Sequence, residues 1–319
     1  HQRVERCFAR DFTDRAFRLQ GSNNRYIDTW AVTTRSIGQD YYLHVQGTTA
    51  GAYGNSFLDN YIYRYSQDSH GGHGISVKAG EGKILEKSLV ENNVLYNVGQ
   101  GIELRHSGTR FSVVRGVQAY RDDPQEEGNL ITFRDNTQNN WVENCYGQDL
   151  LYGIAFNENA GEDGIGPQSS STDNTVVNSI FINVDFGISV SAGWGVSNPP
   201  GAQPGQALPP TGSKIIHSTF SGVNRALARA DNDFPPSNQF VNCIFDRVSD
   251  EQLLSGAFIP TYTSNLFFSG TASDWSSAAV PGGQNFAQDP SLDASAEPTI
   301  SFASIDVARH PIVDVDYFD

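Results

Sequence analysis

Apolar residues recur along this chain in short alternating bursts rather than in helical stripes. Segments such as RFSVVRGVQAY, DNTVVNSIFINV, SKIIHSTFSGV and SNQFVNCIFDRV share one frame: apolar, polar, Asn or a substitute, then two apolar residues. A second kind of strand, apolar-x-apolar, occurs at residues 17–19, 43–45, 75–77, 102–104, 131–133, 154–156 and 188–190. Alternation of this kind turns one face of a strand inward. Two such strands per unit, turned by Gly and Asn, predict one coil of a solenoid.

The Asn-type positions fall at Arg6, Thr29, Asn60, Asn92, Arg115, Asn144, Asn178, His217 and Asn242, separated by 23 to 39 residues. The shortest spacing is the bare coil, and the excess marks loops near 47–55, 65–72, 122–128, 158–173 and 192–213. The pattern predicts an all-β fold, a single-stranded right-handed parallel β-helix of about nine coils with inserted loops. Leucine-rich repeats are excluded because their fixed Leu/Asn consensus is missing. The β-helix is expected over 1–259, with an irregular segment, 260–319, capping the last coil, since a bare end exposes unpaired strand edges. Cys7, Cys145 and Cys243 each follow the Asn-type column on well-separated coils, beyond disulfide reach, so three unpaired cysteines are expected.

Composition narrows the function classes. A net charge of -15 argues against nucleic acid as a global partner, because binding its phosphate backbone requires a basic face. No apolar run approaches the roughly 18 residues of a membrane span. The absence of methionine, position 1 included, predicts a processed or excised segment, and a secreted or cell-surface protein is expected.

Against this acidic background one column stands out. The residues following the apolar-x-apolar triplets read Gln20, Gln46, Lys78, Arg105, Arg134, Asn157 and Ser191, which places three cations on consecutive coils of a chain with only four lysines. Side chains on adjacent coils start about 4.8 Å apart, so this stacking is unfavourable unless something negative answers it. Glu103, one strand position earlier, could make the column a salt-bridge ladder. Alternatively the column is an anion site, flanked by His70, His73, His106 and Arg110 and by Tyr63, Tyr65, Tyr96 and Tyr120, whose rings could stack on sugar faces.

Here ISVKAGEG followed by IELRHSG resembles the ISVKS...LTLRHG signature of the β-helical polysaccharide lyases that include alginate lyases and chondroitinase B. The resemblance implies β-elimination on an acidic polysaccharide, with Lys78 as general base and Arg105 beside it. It also implies a calcium ion, yet the acidic ligands that precede the Lys strand in that family are replaced here by Gly71 and His73. No metal ligand set is therefore predicted, and Arg105 or Arg134 would neutralise the substrate carboxylate instead. Lys78, Arg105, His106 and His73 are the expected catalytic residues, with His73, His106 or a groove tyrosine protonating the leaving oxygen. Arg134, Glu103, Arg110, Tyr65 and Tyr120 are expected to bind substrate. GHGISVKAG also resembles the GHGISIGS of polygalacturonases, but the aspartate motifs that their hydrolysis requires have no counterpart in 39–60. The competing class is non-catalytic: a surface, sheath, adhesin or fibre module that is a rigid rod, binds glycan or packs against copies of itself.

Overall fold

The computed structural model describes residues 1–33, 41–48, 51–64, 72–80, 82–106, 108–122, 128–158, 170–192, 210–229, 237–247, 260–268 and 286–287. One coil shows how the sequence winds. Leu89–Glu91 is a strand of the first sheet; Asn92 turns the chain; Val94–Tyr96 enters the second sheet; Gln100–Arg105 then forms the third. A short strand, Thr109–Arg110, leads back to the first sheet at Val113–Arg115, one coil further on. Each coil therefore carries three principal strands rather than the two expected. The expected first strand is in fact two, bent apart by a single corner residue.

Stacking these coils gives a right-handed parallel β-helix. Among the described residues the first sheet has ten strands, the second eleven and the third eight, and a small fourth sheet has three. Parallel pairing continues through Thr261–Thr263 and Leu266–Phe268, beyond the boundary expected at residue 259, while most of 269–319 lies outside the described residues.

The corners between first and second sheets are Arg6, Asp28, Asp59, Asn92, Gly116, Asn144, Asn178, His217, Asn242 and Ser264, all with φ between 48° and 61°. Asn, Asp and Gly tolerate this left-handed conformation best, which is why they dominate the column. Three of the expected Asn-type positions are one residue off: Asp28, Asp59 and Gly116 take the corner, not Thr29, Asn60 and Arg115. Thr29 and Asn60 belong to the next column, which faces inward and, from Thr29 onward, is buried.

That inner column is a hydrogen-bonded ladder. Asn60 Oδ1 accepts from Thr29 N (3.0 Å), and Asn93 Oδ1 accepts from Asn60 N (3.0 Å). Further along, Ser179, Ser218 and Asn265 accept in the same way from Cys145, Ser179 and Cys243. A second ladder, before the first sheet, links Asn24 to Asn55, Ser112 to Asn140, Asn140 to Asn174, and Ser213 to Asn238. These side chains satisfy backbone N–H groups beside the corners, while the corner residues' own N–H groups bond carbonyls of the next coil. All three cysteines are free, and burial pushes the thiols of Cys145 and Cys243 up to about 12, as expected of packing residues.

The core repeats in register. Phe181 stacks on Phe220 (4.9 Å) and Phe220 on Phe245 (5.1 Å), as Tyr26 does on Phe57 and Phe240 on Tyr262 (both 5.0 Å). Aromatic rings one coil apart thus stack along the interior.

Candidate functional site

The third sheet holds the cation column, and its register follows the sequence alignment. Gln20, Gln46, Lys78, Arg105, Arg134, Asn157 and Ser191 pair in succession. Arg18, His44, Ser76, Glu103 and Thr132 form the neighbouring column. Adjacent coils approach closely where the chain bends into this sheet: a Cβ on Gly101 would stand 2.6 Å from the carbonyl oxygens of both Asn129 and Leu130. His73, at the same bend one coil earlier, stacks on Tyr41 with ring centroids 4.5 Å apart.

The cations are answered by two buried carboxylates. Glu103 Oε1 lies 3.6 Å from Nη1 of both Arg105 and Arg134. Asp135 Oδ2 accepts from Arg105 Nε at 2.8 Å, lies 3.4 Å from Arg134 Nε and is 3.8 Å from His106 Nε2. Each guanidinium is thus held on its Nη1 side by one acid and on its Nε side by the other. Ser76 donates to Glu103 Oε2 at 2.8 Å, and His73 Nδ1 is 3.5 Å from the same oxygen.

Burial sets the protonation states. Burial alone would raise the Glu103 carboxyl, but His73, Arg105, Arg134 and the Ser76 hydroxyl together hold it well below its usual range. Burial lowers His73 despite the pull of Glu103, with Arg134, Arg105 and Lys78 adding to the effect. With His73 neutral, the two guanidiniums and the Ser76 hydrogen bond are what keep Glu103 ionised. His44 and His106 both fall to about 3, first through burial, then through Arg15 for His44 and through Arg105 and Lys78 for His106. Three basic side chains, Lys78, Arg105 and Arg134, thus stack beside the two buried carboxylates Glu103 and Asp135.

The cluster is more enclosed than an open groove: Glu103 is 0% exposed, His106 4% and Arg105 8%, while Lys78 is half-buried. Several of its polar atoms have no hydrogen-bond partner, including His44 Nδ1, His73 Nδ1, both ring nitrogens of His106, Glu103 Oε1 and Asn157 Oδ1. Buried polar atoms are costly unless water or a ligand meets them.

The structure brings Lys78, Arg105, His106, His73, Arg134 and Glu103 together, but not the remaining expected residues. Arg110 lies in the fourth sheet, paired to Glu86 (2.6 Å) with its guanidinium over Phe111. Tyr120 belongs to the second sheet, next to Tyr96 and Tyr63. Tyr63 and Tyr96 stack face to face, 4.9 Å apart and within 5° of parallel, so each covers one face of the other, and the Tyr96 hydroxyl donates to Asp122. Tyr65 and His70 lie outside the described residues. Asp135, which the sequence reading missed, follows Arg134 as His106 follows Arg105; the same alignment carried one residue further places the two side by side.

Calcium does not fit this constellation. Such an ion needs six or more oxygen ligands, whereas Glu103 and Asp135 are engaged with guanidiniums, and the described residues contain no metal-binding group of three His, Cys, Asp or Glu.

No protein-family model matches the chain, and no curated protein sequence matches it. Solved structures do resemble it. The catalytic domain of a GH87 alpha-1,3-glucanase in complex with nigerose is 12% identical, over 84% of this chain and 53% of that one, with a TM-score of 0.40. The chain thus spans about half the length of that domain. An endo-xylogalacturonan hydrolase from Aspergillus tubingensis is 12% identical over 88% and 73%, with a TM-score of 0.44. An alginate lyase from Paenibacillus sp. str. FPU-7 is 13% identical over 76% and 81%, with a TM-score of 0.39. These likenesses concern architecture, and none singles out the lyase resemblance read from the sequence.

Proposed function

We propose that the third-sheet face binds an acidic polysaccharide and cleaves it at a uronate by β-elimination, in a protein that works outside the cell or on its surface. One observation carries the reading: Lys78, Arg105 and Arg134 stack at one register position on three consecutive coils of the third sheet. Arg105 and Arg134 would draw electron density from the uronate carboxylate and acidify the carbon-bound proton beside it. Lys78, as the amine, takes that proton; the electron pair becomes the new double bond, and the glycosidic oxygen leaves with a proton from His106 or His73. A substrate carboxylate beside Arg105 and Lys78 would pull His106 toward the imidazolium that this step needs, against the burial and the two cations that keep it neutral in the free protein. Hydrolysis by paired carboxylates is the weaker route, because Glu103, held ionised, has no proton to give.

The test is the ultraviolet absorbance of the unsaturated product on alginate, pectate, glucuronan and glycosaminoglycans. Wild type should generate it on at least one, and Lys78→Ala should abolish it. No absorbance on any of them ends the lyase reading. A second reading, a non-catalytic glycan-binding or fibre module, draws on the 2.8 Å Arg105–Asp135 contact, which ties the cation to its own scaffold. Binding of a uronate polymer without product, unchanged in Lys78→Ala, would select it.

A further inference from the structure

The second sheet carries a surface of quite different chemistry from the cation column. We propose that its outward face, from Trp30 to Tyr146, is a binding platform for an uncharged, extended polysaccharide, separate from the third-sheet site.

The strands concerned, Trp30–Thr33, Tyr61–Arg64, Val94–Tyr96, Gln118–Tyr120 and Tyr146–Gln148, pair in succession on five coils. Every position of these strands that reaches solvent is uncharged, and Trp30, Tyr61, Tyr63, Tyr96, Tyr120 and Tyr146 among them are aromatic. The first sheet, by contrast, shows solvent Arg25, Glu91, Arg115 and Glu143. Trp30 is 47% exposed and Phe8, paired to it on the preceding coil, 63%. An exposed apolar surface of this kind marks a place where something binds.

Ring geometry suits a ligand with flat apolar faces. Tyr63 and Tyr96 cover each other, but Trp30 and Tyr61 (centroids 4.6 Å apart) are tilted by 39°, and Tyr120 and Tyr146 (5.6 Å) by 43°, so neither of these pairs closes its faces. Pyranose rings with equatorial substituents present C–H faces to such aromatics and hydroxyls at their edges. Groups for those hydroxyls lie alongside. Tyr120 and Tyr146 donate to the side-chain carbonyls of Gln118 (2.7 Å) and Gln148 (2.8 Å), and Asp122 accepts from Tyr96 and from Asn97 Nδ2 (2.8 Å).

Charge and size argue against the other occupants. Carboxylates border the strip on both sides, Asp28 and Asp59 at the corner before it, Asp122 and Asp149 after it, and all four reach solvent. Of the cations nearby, Arg6 and Arg10 precede it on the first coil, 4.0 Å from Asp28 and 3.3 Å from Asp11, while Arg64 and Arg121 are buried. A polyanion laid along the strip would meet repulsion. Four strand spacings by three residues make it roughly 19 by 10 Å. A stable dimer buries about 800 Å² per partner, so a second copy finds only about a quarter of that area here. A single glycan chain running along the rod needs no more width.

Calorimetry tests this with cellohexaose and xylohexaose as uncharged probes and hexagalacturonate as the charged one. At least one uncharged probe should bind the wild type, equally well in Lys78→Ala and in the presence of excess hexagalacturonate. Trp30→Ala should weaken that binding by about tenfold or more, with Trp30→Phe recovering most of it, and should leave the response to hexagalacturonate unchanged. Equal urea midpoints for wild type and variants check that the fold is intact; if Trp30→Ala does not fold, Tyr120→Ala takes its place. Four results would overturn the proposal: neither uncharged probe binds; hexagalacturonate or Lys78→Ala displaces or abolishes the binding, which would put the ligand on the third sheet; Trp30→Ala and Tyr120→Ala bind as wild type does; or sedimentation shows a dimer that Trp30→Ala dissociates, which would give the face to a second copy. The uronate reading stands or falls separately, on the product absorbance described above.

Discussion

Mild acid should unfold this protein through its neutral histidines. His44 and His106 are 2% and 4% exposed, and both have folded values of about 3 against an ordinary 6.5. Because the folded pKa lies below the unfolded one, the unfolded chain binds protons that the folded chain refuses. Stability from this source is therefore complete above pH 6.5 and is lost as pH falls toward 3. At about pH 5 each histidine has surrendered roughly 2 kcal/mol, so the pair accounts for about 4 kcal/mol, a large share of a typical folding free energy. His73 shifts in the same direction and adds to the effect. Glu103, whose folded pKa is depressed, contributes in a separate window, below the usual carboxylate range. Urea unfolding followed by circular dichroism at about pH 7.5 and about pH 5 measures the difference. The midpoint should drop at the lower pH in wild type and drop far less in a His44→Gln/His106→Gln double variant. Coincident wild-type midpoints at the two pH values, with equal slopes, would refute the buried-neutral assignment.

Two further substitutions probe the scaffold. Asn60→Ala strands Thr29 N, Tyr26 O and one lone pair of Asn93, and should destabilise by about 3 kcal/mol by urea midpoint; Asn60→Ser, the residue that fills this column at Ser179, should recover part of the loss. Gly101→Ala forces a Cβ against two backbone oxygens on the next coil and should cost about 3 kcal/mol or more, read as a lower midpoint or loss of soluble protein.

The coils and the cation column were legible because parallel pairing without slippage turns sequence alignment directly into spatial adjacency. Lys78, Arg105 and Arg134 needed only a consistent frame, which the apolar triplets provided. The corners were less legible. Asp28 precedes Thr29, and Asp59 precedes Asn60; both members of each pair are polar, and only the chain's handedness decides which takes the left-handed corner and which turns inward. The tyrosines misled for another reason. Tyr96 and Arg105 are nine residues apart, but a corner between second and third sheets directs them to different faces, and apolar alternation carries no record of that angle. Asp135 escaped notice because it lies two residues beyond its strand triplet, one past the last position that the apolar frame aligns.

The ladder pairing has a consequence for how such a site can change. Lys78 and Arg105 are 27 residues apart in the chain, and Arg105 and Arg134 are 29, yet each pair is separated by one strand spacing. The distances within the cluster are therefore set by the backbone as a ruler with fixed graduations, indifferent to the length of whatever intervenes. Loops can lengthen, shorten or be exchanged without detuning the charges, and a cluster of this type can be moved along the rod only in whole steps.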